Sequence, residues 1–456
     1  MSLLKAHHPT PEDAVPSGRR YWRSLAELER TPQFEEFLHR EFPAGASEML
    51  SPFSRRAFLN LMAASIAMAG ALTGCRKPRQ LILPYTRRPE DLTPGIAQHY
   101  ATSMERAGQV LGLIVESHEG RPTKIEGHPD HPANQGGVDA MTQAAILELY
   151  DPDRSPWPLS GGRRTTVEAF DKYFNDLAAG LRGKQGEGLA ILGERTTSPS
   201  LLAQRRQIRQ ALPKATWHAW EPVNEDNRLE GARLAFGRPA APLYDQEKAE
   251  AVVALGSDFL ASGSDSLHDA RRFARRRRRE GGQPKMNRLY AVESTFSLTG
   301  AMADHRLRLA PSRVGAYALA LANELVNGQK LLSPGNPLAL ALVPWRKHEF
   351  DPPWVREVAR DLMRHPGRSL LIAGPSLPPA AQMVVHLING YLGGDCVSYY
   401  EPADATGETV NAAASLADLV DRLNAGRVNT LLILGGNPVW DAPADLEFAA
   451  ALTKAP

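Results

Sequence analysis

Short apolar runs, most of them closing on glycine, constrain this chain more than anything else in it. They occupy residues 189–193, 251–256, 289–293, 370–374 and 430–436. Runs of this length without a polar break read as strands buried on both faces. Segments with helical spacing stand between them, at 201–212, 266–279, 314–326 and 379–391. Strand, turn and helix in series predict parallel sheets covered by helices on both sides. The expected fold class is therefore α/β, with Rossmann-type parallel sheets and flanking helices. One sheet is expected before the Pro-rich stretch 333–354 and one after it. A small N-terminal β region is expected at 110–125, with a turn at His118-Glu119-Gly120-Arg121. Residues 76–110 read as an extended arm.

At 456 residues the chain is long for one core, since single cores stop growing at roughly 250–300 residues. The expected division is an N-terminal extension at 1–53, an address segment at 54–75 and an arm with a small β domain at 76–155. A first α/β domain follows at 156–330 and a second, incomplete one at 331–456. Two cysteines, Cys75 and Cys396, cannot supply a four-cysteine iron–sulfur or zinc site. Cys396 reads as a buried strand residue. A net charge of +2 gives no reason to expect a nucleic-acid partner. Neither a phosphate-binding G-x-x-x-x-G-K-[ST] loop nor a G-x-S-x-G nucleophile motif occurs.

The first 75 residues carry an address. Ser54-Arg55-Arg56-Ala57-Phe58-Leu59 precedes a charge-free, Ala-rich stretch at 61–72. That stretch is shorter than the roughly 20 residues a membrane span needs, and it fits the apolar part of an export signal. Arg55 and Arg56 resemble a twin-arginine translocation signal. Leu72-Thr73-Gly74-Cys75 resembles a lipobox, with Cys75 the lipidated residue. An uncleaved signal anchor is the other reading. An unusual 54-residue stretch precedes Arg55.

Several segments together resemble the molybdopterin oxidoreductase superfamily. The first is Gly120-Arg121-Pro122-Thr123-Lys124-Ile125-Glu126-Gly127-His128-Pro129, and the second is Tyr150-Asp151-Pro152-Asp153-Arg154. The others are 253–258 with 289–304, and Leu432-Ile433-Leu434-Gly435-Gly436-Asn437-Pro438. The N-terminal W-R-S-L, E-F-P, S-R-R-x-F-L and L-T-G-C resemble one branch of it. That branch is the translocated molybdopterin-like/iron–sulfur subunit of alternative complex III, a quinol oxidoreductase. The resemblance implies a scaffold without cofactor in this half, and 4Fe–4S clusters only in a partner or in a C-terminal half. It implies as partners an iron–sulfur subunit or C-terminal half, integral membrane quinol-oxidising subunits and haem c subunits. It also implies a place on the periplasmic face of the cytoplasmic membrane, reached by the twin-arginine route and held by a lipid anchor.

The family's site residues can be sought position by position. Its final cluster cysteine falls at Asp139, a hard ligand poorly suited to such a cluster. Its molybdenum ligand falls in 216–224, which holds no Ser or Cys; Glu221 and Asp226 are the carboxylates at hand. The nucleotide-cradling loops are better kept. Gly256, Ser257 and Asp258, with Gly435, Gly436 and Asn437, follow strand ends, where α/β sheets bind ligands. Glu293 ends a strand, where an acidic group can hold a ribose hydroxyl. These read as vestigial cofactor-binding residues, since glycine at such turns also serves the turn alone. His128 and His131 sit in a Pro-rich loop and read as structural. The arginines at 271–272 and 275–279 read as a helix face for an acidic partner or anionic lipid, or as a solvated face. The leading expectation is a non-catalytic scaffold in an electron-transfer complex. The alternatives are a fragment of an active molybdopterin-dependent oxidoreductase completed beyond Pro456, and a stand-alone lipoprotein binding a nucleotide-like ligand.

Overall fold

The structure is a computed structural model. It describes Pro32 and, from residue 92 onward, all but residues 107–108, 264, 279–285, 403–410 and 456. Arg55, Arg56, Cys75 and the extension before them lie outside the described residues. The chain divides into two compact units, Met1–Arg88 and Pro89–Pro456; every element below belongs to the second.

It begins with an antiparallel meander of β1 (Gln98–Arg106), β2 (Gln109–His118) and β3 (Arg121–Gly127). Glu119 and Gly120 both take positive φ, +54° and +80°, the mirror-image turn whose twist suits a two-residue hairpin. The expected turn is therefore present. The expected extended arm is corrected: its last part is β1, paired along its whole length with β2. Asp139 accepts a hydrogen bond from the Thr142 N–H at 2.6 Å and caps α1 (Ala140–Ala144). A 3-10 turn and a small hairpin, β4 (Leu159–Ser160) and β5 (Arg163–Arg164), lead to α2 (Val167–Gly183).

The alternating part follows. It runs β6 (Leu189–Gly193), α3 (Pro199–Ala211), β7 (Thr216–Ala219), α4 (Asp226–Phe236) and β8 (Ala241–Tyr244). Next come β9 (Ala251–Leu255), α5 (Ser266–Arg277), β10 (Arg288–Glu293), α6 (Leu298–Met302) and β11 (His305–Arg308). Then come α7 (Pro311–Asn323), α8 (Pro337–Leu342), α9 (Pro352–Arg364), β12 (Ser369–Ala373) and α10 (Pro379–Leu392). The last elements are β13 (Val397–Tyr400), α11 (Ala412–Asn424), β14 (Thr430–Leu434), α12 (Pro438–Asp441) and α13 (Phe448–Leu452).

Two parallel sheets with flanking helices form the frame, in the orders β11-β10-β9-β12 and β14-β6-β7. The expected division into one sheet on each side of 333–354 is corrected. β12 returns from beyond that stretch to pair with β9, and β14 returns to pair with β6. The first strand of each sheet is thus internal, and later strands add on both of its sides. A run of apolar residues says that a strand is buried but not which neighbour it takes.

Alternate side chains of β9 face opposite covers. Val253 and Leu255 pack with Tyr317, Leu321, Leu362 and Ile388, while Val252 and Ala254 pack with Phe259, Phe273 and Cys396. Full burial of each large aliphatic side chain contributes roughly 1.5–3 kcal/mol. The smaller sheet is covered less evenly. Ala190 and Leu192 pack under Leu416, Leu419, Leu423 and Phe448 of α11 and α13. On its other face α3 has no buried residue.

Candidate functional site

The candidate residues lie at the C-terminal edges of both sheets, and the two edges differ. In the four-stranded sheet, β9 is flanked by β10 and by β12, so the crevice where such sheets bind ligands opens after β9 and β12. Gly256-Ser257-Asp258 forms one lip, and Gly374 begins the other. At this edge the β9–β12 pairing continues for one more rung. A Cβ built on Gly374 would lie 1.8 Å from the Gly256 carbonyl oxygen and 3.0 Å from the Ser257 nitrogen. The Gly374 N–H donates to the Leu255 carbonyl at 2.8 Å. The buried Leu377 side chain closes over Gly256, its Cδ1 3.2 Å from where a Cβ would be.

The two acidic candidates are consumed by neighbours. Asp258 Oδ1 accepts hydrogen bonds from the Thr299 N–H at 2.9 Å and the Thr299 hydroxyl at 2.8 Å. Glu293 is 6% exposed. Arg306 Nε donates to its Oε1 at 2.5 Å, and the Ser297 hydroxyl donates to its Oε2 at 2.5 Å. Gly300 leaves the room for that carboxylate, since a Cβ there would sit 1.8 Å from Glu293 Oε1. Both carboxylates brace the turn around α6 instead of facing open space.

The edge of the three-stranded sheet is open. Gly435 and Gly436 take φ of +75° and +66°, which only glycine adopts without strain. With Asn437 they form an exposed loop after β14, tied back to β7 by the Trp220 Nε1–H, which donates to Asp441 Oδ1 at 2.8 Å. Beside this loop lies a cavity of about 320 Å³ beneath α3. Ile191, Trp217 and Leu434 give it apolar walls, and Glu105, Glu194 and Glu221 bring carboxylates. Glu105 reaches in from β1 and accepts from the Thr196 hydroxyl and the Thr197 N–H, both at 2.6 Å. Arg205 stands 5.1 Å from the Trp217 ring centre.

Glu105, Glu194 and Trp217 escape sequence reasoning. Glu194 directly follows the glycine of β6, a position that could have marked it. Nothing local marks Glu105, which acts across 91 residues.

The residues sought as metal ligands have other tasks. Asp226 is buried, and its Oδ2 accepts the Ala412 N–H at 2.7 Å, anchoring the start of α11. Burial raises its carboxyl above the ordinary value, against the lowering effect of the Ala413 and Ala412 N–H groups. Glu221 accepts the Arg195 N–H at 3.2 Å. His128 Nδ1 accepts the Asp130 N–H at 3.1 Å, and the His131 ring lies against Gly112. Among the described residues, no group of three or more His, Cys, Asp or Glu is placed to hold a metal ion. Cys396 is buried one residue before β13, and burial pushes its thiol up to about 11.

The chain is similar to a molybdopterin-binding-like protein. It is 27% identical over 224 residues, 47% of its length, to the menaquinone reductase, molybdopterin-binding-like subunit of Nitratidesulfovibrio vulgaris. It spans 31% of that relative's length. Among solved structures it is similar to acetylene hydratase from Pelobacter acetylenicus. That match has a TM-score of 0.48 and 14% identity, covering 64% of this chain and 43% of the other. No protein-family model matches the chain.

The arginine-rich helix α5 is tied down within the chain. Arg272 pairs with Asp245, Arg277 with Asp304, and Arg276 with Glu250 at 2.7 Å. Arg271 donates to the Gln135 carbonyl. The acidic partner expected for this face is largely the loop between β8 and β9. Arg279 lies outside the described residues.

Proposed function

We propose that this chain is a non-catalytic scaffold in a membrane-attached, quinol-oxidising electron-transfer complex of the alternative complex III type. The observation that carries this reading is the engagement of both acidic candidates at the edge of the four-stranded sheet, Asp258 by Thr299 and Glu293 by Arg306 and Ser297. Leu377 packs over Gly256, and Glu293 is already engaged by Arg306 and Ser297, which supports a rim given over to the chain's own contacts. The similarity to a molybdopterin-binding-like subunit of a menaquinone reductase supports placement beside quinone chemistry. The sequence resemblance supports iron–sulfur, haem c and integral membrane partners, export through Arg55 and Arg56, and a lipid anchor at Cys75.

The open crevice at Gly435–Gly436 favours a second reading, a fragment of an active molybdopterin-dependent oxidoreductase completed beyond Pro456. One experiment separates the two. The native complex is purified from membranes, and molybdenum and extractable fluorescent pterin are measured per chain. The scaffold reading expects neither; about one equivalent of either overturns it. Mass spectrometry of the mature N-terminus tests the anchor, with acylated Cys75 expected and an intact segment from Met1 to Cys75 refuting it.

A further inference from the structure

We propose that the seam between α5 and the loop joining β8 to β9 encloses an ordered water molecule, bound by Asp269, Gln246 and His268. This water fastens the arginine-rich helix to the body of the protein from inside. The loop precedes β9, so the site lies at the opposite end of that strand from Gly256 and does not depend on what the rim binds.

One face of α5 lies along the loop. Asp269, Arg272, Phe273 and Arg276 recur at the spacing of a single helix face. Arg272 meets Asp245 and Arg276 meets Glu250, so loop and helix run side by side for more than one turn. Between these ion pairs Phe273 packs with Tyr244 and Ala249. Gln246 directly follows Asp245 and has no exposed surface. Its backbone carbonyl accepts the Asn287 Nδ2–H at 3.2 Å.

The outer part of this seam is satisfied and the inner part is not. Arg272 Nε donates to His268 Nε2 at 2.7 Å, and Arg277 holds the Asn287 side chain and carbonyl, both at 3.0 Å. Deeper in, neither the oxygen nor the nitrogen of the Gln246 amide has a hydrogen-bond partner among the described residues, and the same holds for Asp269 Oδ1 and His268 Nδ1. Asp269 is 4% exposed. Burial raises its carboxyl, while the His268 ring and the Gln246 amide lower it, which sets both beside it. The ring stops short, with His268 Nδ1 3.5 Å from Asp269 Oδ1. Buried polar groups are seldom left without partners, and several turned to one place mark an internal water.

Chemistry selects the occupant. Because Arg272 donates to Nε2, His268 carries its proton on Nδ1 and presents a donor there. Gln246 adds a donor end and an acceptor end, and Asp269 Oδ1 adds an acceptor. A metal ion is disfavoured by the two N–H groups and by the Arg228 charge felt at Asp269. An anion is disfavoured by the Asp269 carboxyl. Water donates and accepts at once, and about two to four polar partners hold it. Another polypeptide has no way in, since Gln246 is fully enclosed.

Oxygen-17 magnetic relaxation dispersion of the full chain counts its long-lived internal waters. Gln246→Leu should lose about one of them, whereas Gln210→Leu, on the exposed side of α3, should lose none. Equal dispersion in Gln246→Leu and the parent overturns the proposal. Where that variant fails to fold, a crystal structure of the parent chain decides. Density within about 3.2 Å of both Asp269 Oδ1 and the Gln246 amide is expected. A direct hydrogen bond between Gln246 and Asp269, with no density between them and His268, overturns the proposal. So does a peak there with the anomalous signal of a metal.

Discussion

Gly374 and Gly256 touch backbone to backbone at the place where a doubly wound sheet would ordinarily admit a ligand. The contact extends the β9–β12 pairing by one rung beyond Ala373 and Leu255, and glycine at 374 lets the two backbones approach this closely.

Gly374→Ala tests the contact. The added methyl meets the Gly256 carbonyl, and overpacking of a tight site costs about 1–3 kcal/mol. Gly180→Ala, in α2 with no neighbour within 4 Å, is the control and should stabilise by about 0.5–1 kcal/mol. Urea unfolding of both variants gives the difference; equal stabilities would mean that the loops separate freely.

Glu293→Ala should cost about 3 kcal/mol, because Arg306 is left without its carboxylate in a largely buried place. The double variant Glu293→Ala with Arg306→Ala should recover part of that loss. A ligand-binding role for Glu293 predicts instead that the single variant is nearly as stable as the parent.

Acid should loosen the fold through His386. Burial holds its imidazole down at about 4, with the nearby Arg228 charge adding to the shift. The unfolded chain therefore takes up the proton first as pH falls. The contribution is complete above about 6.5 and is lost progressively as pH drops toward 4, a loss of about 3 kcal/mol. Asp226 and Asp269 work in the opposite sense, since burial raises both carboxyls and favours their protonation in the folded state. The slope of stability against pH between 6.5 and 4.5 should flatten in His386→Gln. An unchanged slope would place the titration elsewhere.

Arg276 is mostly buried against Glu250, so Arg276→Ala should lower stability by about 2 kcal/mol or more. Binding of the unacylated chain to anionic vesicles should be the same in this variant as in the parent, since Arg272 and Arg277 beside it are paired within the chain. Vesicle co-sedimentation that falls sharply in this variant would restore the surface role for α5.

The strands were legible because their composition is local. Val252, Val253 and Leu289 sit in uninterrupted apolar runs, and burial on both faces leaves no polar position to blur them. β1 was not legible, because Tyr100 and Ser103 lie exposed and its polar residues resemble those of a loop. The glycines of the candidate loops were found but not their meaning. An acidic residue after a strand suits a ribose or a neighbouring threonine equally well. Thr299, 41 residues from Asp258, decides between them. Partners this remote in sequence follow from the order of strands, which apolar runs do not encode.

The register that sets Thr430 opposite Leu189 governs how the chain can come to its native state. The smaller sheet cannot close until residues 430–434 have left the ribosome, and closure over such a sequence distance slows folding. Until then β6 keeps one side bare, an unpaired edge of the kind that favours misassembly. A gene split or a protease cut that removed 430–434 would return it to that condition for good.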